Sequence, residues 1–501
     1  MKKIYLGIVA AAMLFTGCST DWLDVENPTG EGLEEYYTTE VRLNEALNAA
    51  YDPIHWPDWG LGQYNALNID AEIQGDDFWV GGSGPDDMAN WHKIFNYQAD
   101  DNNTLQSLWT VNYSGVKRCN DMLRYSEWVD MDAKTKACMV AQARLMRVYY
   151  YNMLWHYWGN IPFYLENLTA SNGYTSKQYT ADEVYKELVV ELENIIKEGA
   201  LPLRWDDKNC GRASQAMAYM LFAEMVMYQN DKERYAQALG YMKELISSND
   251  YDLVADYGTI FKEEGEWSKE SIWEINYEDA NNNRGWGSPL ATGGTILPTL
   301  IAPNSWPGGD GFNAGQDGWG FMPVRLETYN MFAEGDVRRA ATCWDVRGVS
   351  YTERYQDTHI WLEKYRPYSE HNQDAGFDNN LNYDNNLRVY RYAEVLLNAA
   401  ELALATGQTA GAEGWLNAVH HRAGLTDNVS LTLENIKEER HLEFVGEGKR
   451  YWDLVRWGDA ASVLKPDAYG YRTNSWTPSK KYLPIHINEL DSDPNLVQNN
   501  Y

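Results

Sequence analysis

Basic residues are scarce: 42 Lys and Arg stand against 73 Asp and Glu, a formal charge of −31. A surface of that sign repels phosphate backbones, which argues against nucleic acid as a partner. Cysteine is scarcer still, five in 501 residues. Cys119, Cys138, Cys210 and Cys343 form no CxxC pair and stand beside no histidine at ligand spacing, so zinc has no support and free, packed thiols are expected. No GxSxG, HExxH, GxxxxGKS/T or GxGxxG string occurs, which leaves no patterned hydrolase triad, zincin or nucleotide site. After Phe15 no apolar run is long enough to span a bilayer as a helix. Phenylalanine is short as well, with 11 residues against 36 Tyr and 21 Trp.

That last imbalance turns the reading toward what is present. A core is filled as well by Phe as by Trp, so a bias toward rings with a polar edge points to surfaces that are half apolar and half wet. A pyranose offers such a surface, with one C–H face that lies flat on an indole and a rim of hydroxyls. More than half of the rings are still expected to fill helix contacts. Two segments break the helical pattern with glycine and tryptophan, residues 74–103 and 281–323. A forty-residue loop carrying three tryptophans is expected to be functional rather than disordered. The candidate platforms are Trp79, Trp91, Trp286, Trp306 and Trp319, with Asp77, Asn283, Arg284 and Asn313 as polar partners for sugar hydroxyls. Asp76 and Asp77 also raise the question of a glycosidase acid pair, but adjacent loop residues point apart, and hydrogen bonding or a structural role is favoured. Asp374, Asp378 and Asp384 offer hard oxygen ligands of the kind calcium takes. Their spacing does not match an EF-hand loop, and a solvated polar loop is the competing reading.

The N-terminus has the layout of a secretory signal: Lys2 and Lys3, an apolar stretch from Ile4 to Phe15, then Thr16 and Gly17 before Cys18. Leu14-Phe15-Thr16-Gly17-Cys18 resembles a bacterial lipobox, which predicts a removed signal at 1–17 and acyl chains on Cys18. Residues 18–38 then read as a linker and 39–501 as one domain. Helical periodicity dominates this domain, so the fold class is mainly α. Thr180-Ala181-Asp182-Glu183 is a capping box ahead of the stripe Val184, Leu188, Leu192, Ile195 and Ile196, closed by Gly199. Residues 213–228 with 235–247, and 387–405 with 410–422, look like tetratricopeptide helix pairs that bury their faces on neighbours.

The C-terminal third carries LRVYRYAEVLLNAAE at 387–401, LNAVHHRAG at 416–424, ERHLEFVGEG at 439–448, RYWDLVRW at 450–457, LPI at 483–485 and PNL at 494–496. In this order, with WLDV at 22–25 and ALNAAY at 46–51, they resemble the SusD/RagB family of nutrient-binding lipoproteins. The resemblance implies about four tetratricopeptide-like helix pairs packed against an irregular, loop-rich half, and no catalytic activity or cofactor. It also implies a lipid-anchored place on the outer membrane's extracellular face, an oligosaccharide or polysaccharide ligand, and a SusC-like TonB-dependent transporter as partner. Glu439, Arg440, Glu443, Glu447, Arg450, Asp453, Arg456 and Trp457 are read as structural or partner-docking groups, since carboxylates and guanidinium forks on successive turns pair with one another. A secreted helical-toroid glycoside hydrolase or lyase, and a protein-binding scaffold, are the alternatives that product release and glycan binding by the isolated domain separate.

Overall fold

The computed structural model describes residues 32–280, 284–307 and 318–501. The fold is mainly helical, as expected. The long helices are α1 (Glu40–Tyr51), α2 (Gln106–Ser126), α3 (Ala133–Trp158), α4 (Ala181–Glu198), α5 (Gln215–Gln229), α6 (Tyr235–Ser248), α7 (Tyr392–Thr406), α8 (Ala412–Arg422), α9 (Leu433–Phe444) and α10 (Arg450–Trp457). Their starts follow from local chemistry: the hydroxyls of Thr39, Thr180, Ser214 and Thr432 each accept a first-turn amide, and Gly199 closes α4 in the left-handed region. Among the described residues no helix is long and apolar enough to cross a membrane.

The helices stack in chain order as α2 with α3, α4 with α5, α6 with α7, and α8 with α9, each pair packed on the next. Four tetratricopeptide-like pairs result. Helix α3 is buried on nearly every side from Met139 onward because it lies between α2 and α4, enclosing Leu145, Met146, Tyr150, Tyr151, Leu154, Trp155 and Trp158. Several of its polar ring atoms are satisfied by backbone: Tyr150 donates to the Ala50 carbonyl (2.8 Å), Trp155 to Ala181 (2.9 Å) and Trp158 to Pro484 (3.1 Å). Much of the Tyr and Trp bias thus serves the interior.

Helices α6 and α7 touch although 143 residues lie between them, and residues 249–391 form the loop-rich half inserted at that joint. Ser271–Ile275 pairs antiparallel with Leu387–Arg391 and ties the two ends of the insertion together. The helix expected from residue 387 therefore begins only at Tyr392. Residues 387–391 are a strand paired with 271–275, and from it Arg388 reaches Glu266 while Arg391 reaches Glu270.

Those partners belong to a buried lattice of ion pairs. Arg391 reaches Glu270, Glu443 and Glu447; Lys364 reaches Glu447; Arg338 binds Asp336 and Glu439; Arg440 and Arg456 share Asp453. Burial pushes the Glu447 carboxyl upward, but Arg391 and Lys364 outweigh it and hold the group down to about 2. The motif 439–457 is accordingly structural. It also grips the first loop segment, since Arg450 forks onto both oxygens of Asp76 (2.8 and 3.0 Å) and Glu72 accepts the amides of Gly446 and Gly448.

Candidate functional site

Four loops meet on the loop-rich side: 56–65, 284–296, 318–324 and 377–382. The fork that joins the first two is Arg284, which is fully buried. It donates to both oxygens of Asp58 (2.6 and 3.1 Å), to the carbonyls of Trp59 (2.9 Å) and Pro289 (3.0 Å), and to that of Gly294. Asp58 in turn accepts the amides of Trp59 and Ile296. Asn382 fixes the fourth loop to the second: its amide nitrogen donates to the carbonyls of Arg284, Phe377 and Asp378, and its oxygen accepts the Gly294 amide. Gly294 is required there, because a Cβ would stand 2.5 Å from the Asn382 backbone. Gly318 is required for the same reason, with a Cβ 2.2 Å from the Ala302 carbonyl oxygen, and the Trp319 amide that follows donates to Thr299.

This frame presents a continuous set of rings. Trp286 and Trp319 are nearly parallel, 13° apart with centroids at 5.9 Å. Trp59 meets the edge of Trp286 at 5.5 Å and stacks on Tyr64 at 4.6 Å, and Tyr64 meets Trp319 at 5.2 Å. Trp286 is 38% exposed and Phe377, beside Gly285, is 49% exposed. Burial and the Asp87 carboxylate raise the Tyr64 hydroxyl to about 12, so it stays a neutral donor. A ring cluster of this kind, apolar in face and wet at its rim, matches a pyranose.

Of the rings expected from the sequence, Trp286 and Trp319 stand together here and three do not. Trp79 is 2% exposed, lying under the Arg325 guanidinium at 3.8 Å. Trp91 is buried with its indole N–H on Asp70 (3.0 Å), and Trp306 is buried against Trp344. These three are corrected from platform to packing. Arg284 is likewise corrected: its five donors are spent inside, on the clamp. Asp77 is buried and accepts from Thr328 (3.0 Å) beside His441 at 2.8 Å, which removes it from the surface. Asn283, Asn313 and Cys18 lie outside the described residues. Trp59, Tyr64 and Asn382 are not among the sequence candidates, although Trp56-Pro57-Asp58-Trp59-Gly60-Leu61-Gly62 has the same glycine and tryptophan signature as segments 74–103 and 281–323.

The remaining constellations carry no catalysis. Burial would raise the Asp76 carboxyl, but the Arg450 fork, with His441 and Arg325 nearby, holds it well below the usual range, so it is no proton donor. Asp76, Asp77 and His441 are the one group of three metal-ligand types that converges among the described residues, and it is already spent on Arg450 and Thr328. The calcium candidates separate: Asp378 accepts the Trp286 amide (3.0 Å), Asp384 pairs with His371 (2.7 Å), and Asp374 is held by its own amide to Asp279. Asp378 thus orients an exposed indole. The four cysteines expected to be unpaired are free, Cys119 and Cys343 buried and Cys138 and Cys210 half-buried.

Comparison with known proteins shows the family and the fold. Residues 340–501 match the SusD family, and residues 21–227 match the family described as starch-binding and associating with the outer membrane. The surface glycan-binding protein A of Bacteroides uniformis is 58% identical, with 92% of this chain and 100% of that chain covered and a TM-score of 0.85. That of Bacteroides thetaiotaomicron, solved in complex with laminarihexaose, is 52% identical over 93% of this chain and 100% of its own, with a TM-score of 0.89. A laminarin-binding SusD-like protein is 29% identical, covering 92% of this chain and 99% of that one, with a TM-score of 0.83. These relatives are named for binding, not for catalysis.

Proposed function

The chain belongs to the SusD family of surface glycan-binding proteins, and on that premise we propose that it captures a laminarin-type glucan on the platform of Trp59, Tyr64, Trp286 and Trp319. The observation that carries the reading is the near-parallel, partly exposed Trp286–Trp319 pair, held outward by the Arg284–Asp58 clamp and by Asp378. The likeness to the Bacteroides thetaiotaomicron protein supports the choice of glucan. Asn283 and Asn313, on the loops that carry these indoles, are the proposed polar partners. Acyl chains on Cys18 would tether the domain to the outer membrane's outer face, and a SusC-like TonB-dependent barrel would receive the glycan. The lipobox-like string at 14–18 and the family membership support both steps.

Calorimetric titration with laminarihexaose tests the platform. Trp286→Ala and Trp319→Ala are each expected to weaken binding about tenfold or more, the loss of roughly one ring contact of about 1.4 kcal/mol. Wild-type affinity in both variants would place the ligand elsewhere.

A further inference from the structure

A second set of rings lies beyond Trp319, on the turn at 467–472. Asp467 accepts the amides of Tyr469 (2.7 Å), Tyr471 (3.2 Å) and Arg472, which closes the turn around Gly470. Arg472 is buried and anchors the turn, donating to the carbonyls of Phe95 (2.9 Å) and Gly75 (2.7 Å). The turn therefore holds its shape without using the tyrosine side chains. Tyr469 and Tyr471 stand 12° from parallel with centroids at 6.0 Å, and Tyr355 meets Tyr471 at 5.6 Å. Buried Trp79 sets its edge against both, at 5.5 and 5.1 Å, as a floor. Tyr469 is 54% exposed, and its hydroxyl donates to Glu327 at 3.4 Å.

The loops that carry this patch are joined to those of the first platform. Arg354, next to Tyr355 in sequence, donates to the Trp319 carbonyl (3.3 Å) and lies along Gly320. The Tyr355 amide donates to Gly82, whose own amide donates to Gly320. Arg354 also stands 4.0 Å from Asp87, whose charge reaches Tyr64. The two ring sets are thus tied through Arg354 and Asp87, both partly exposed, which offer polar contacts between them.

We propose that Tyr355, Tyr469 and Tyr471 form a second carbohydrate platform, which extends the Trp286–Trp319 platform so that a single long glucan chain lies over both. The inference rests on the glycan reading above and adds a preference for polymer over short oligosaccharide. Once one platform is occupied, contact with the second is intramolecular, so a chain that spans both gains affinity beyond either alone.

The test compares laminarin with laminarihexaose on wild type, on Tyr469→Ala/Tyr471→Ala, and on Trp286→Ala, by calorimetry with melting curves as a check on folding. The double tyrosine variant is expected to bind laminarin about tenfold more weakly relative to laminarihexaose than wild type does, whereas Trp286→Ala weakens both ligands. Tyr469→Phe/Tyr471→Phe retains the ring faces and is expected to restore the polymer preference. An unaltered ratio in the alanine variant overturns the extension and leaves the patch to a protein partner. A wild type that binds neither ligand overturns the glycan reading itself.

Discussion

Arg284→Met removes the guanidinium while keeping a long apolar stem in its place. Five hydrogen bonds are lost, to Asp58 twice and to the carbonyls of Trp59, Pro289 and Gly294, and the Asp58 carboxylate is left buried without its cation. Breaking a buried pair in this way costs about 3–5 kcal/mol. The cost falls on the junction of loops 56–65 and 284–296, the segments that carry Trp59 and Trp286. Where that cost leaves the open junction favoured by about 1.4 kcal/mol, the binding-competent fraction falls about tenfold and the apparent affinity with it. The whole fold is far less sensitive. At about 2.1 cal/mol/K per residue, a chain of this length unfolds with an entropy near 1 kcal/mol/K, so the same cost lowers Tm by only about 3–5 °C. Calorimetric titration and scanning calorimetry on one preparation read both quantities. Arg284→Lys, which keeps a charge for Asp58 but not the fork, is expected to recover most of the Tm and less of the affinity. A methionine variant with wild-type affinity would show that the clamp does not set the platform, and the account of the site would fall.

Gly294→Ala puts a methyl group against the Asn382 backbone, and is expected to lower Tm and glycan affinity together, where a merely strained surface loop would lower neither. Glu266 supplies a pH signature. Burial, outweighing Arg388, raises its carboxyl from 4.5 to about 7, so between those values the folded protein holds a proton that the unfolded chain has released. Its contribution is present in acid and is lost as the pH rises toward 7. Glu266→Gln, which mimics the protonated form, is expected to match wild type near pH 5 and to melt higher than wild type near pH 8; parallel melting curves across that range would contradict the assignment.

How far the sequence carries the fold depends on whether a signal is local. The capping box at Thr180, the stripe to Ile196 and the stop at Gly199 are satisfied within α4 itself, and they appear as read. The strand at 387–391 was hidden because its stabilisation is remote: Arg391 is explained by Glu270, Glu443 and Glu447, which no local pattern connects to it. Glycine and tryptophan marked segments 74–103 and 281–323, but the first holds a short helix at Ala89–Phe95 and the second one at Leu297–Ile301, and neither the helices nor the direction of each ring was legible. Trp91 and Trp286 both fall in the segments marked by glycine and tryptophan, yet one lies on a short helix and finds Asp70 for its N–H inside, while the other has its amide fixed by Asp378 and its ring outside.

The same contrast explains why the residues that build the platform are not those that touch solvent. An indole at a surface is costly to keep outside unless its backbone has nowhere else to go. Here the backbone packs closely at Gly294 and Gly318, and Asp58, Arg284 and Asn382 use their hydrogen bonds on one another and on neighbouring main chain. The tetratricopeptide-like stack contributes rigidity at one remove, since the insertion leaves and re-enters it between α6 and α7 through the paired strands at 271–275 and 387–391. On the proposed reading, Trp286, Trp319 and Phe377 at the rim can be replaced while the buried clamp and the ion-pair lattice stay as they are, so the ring platform can vary without a change of fold.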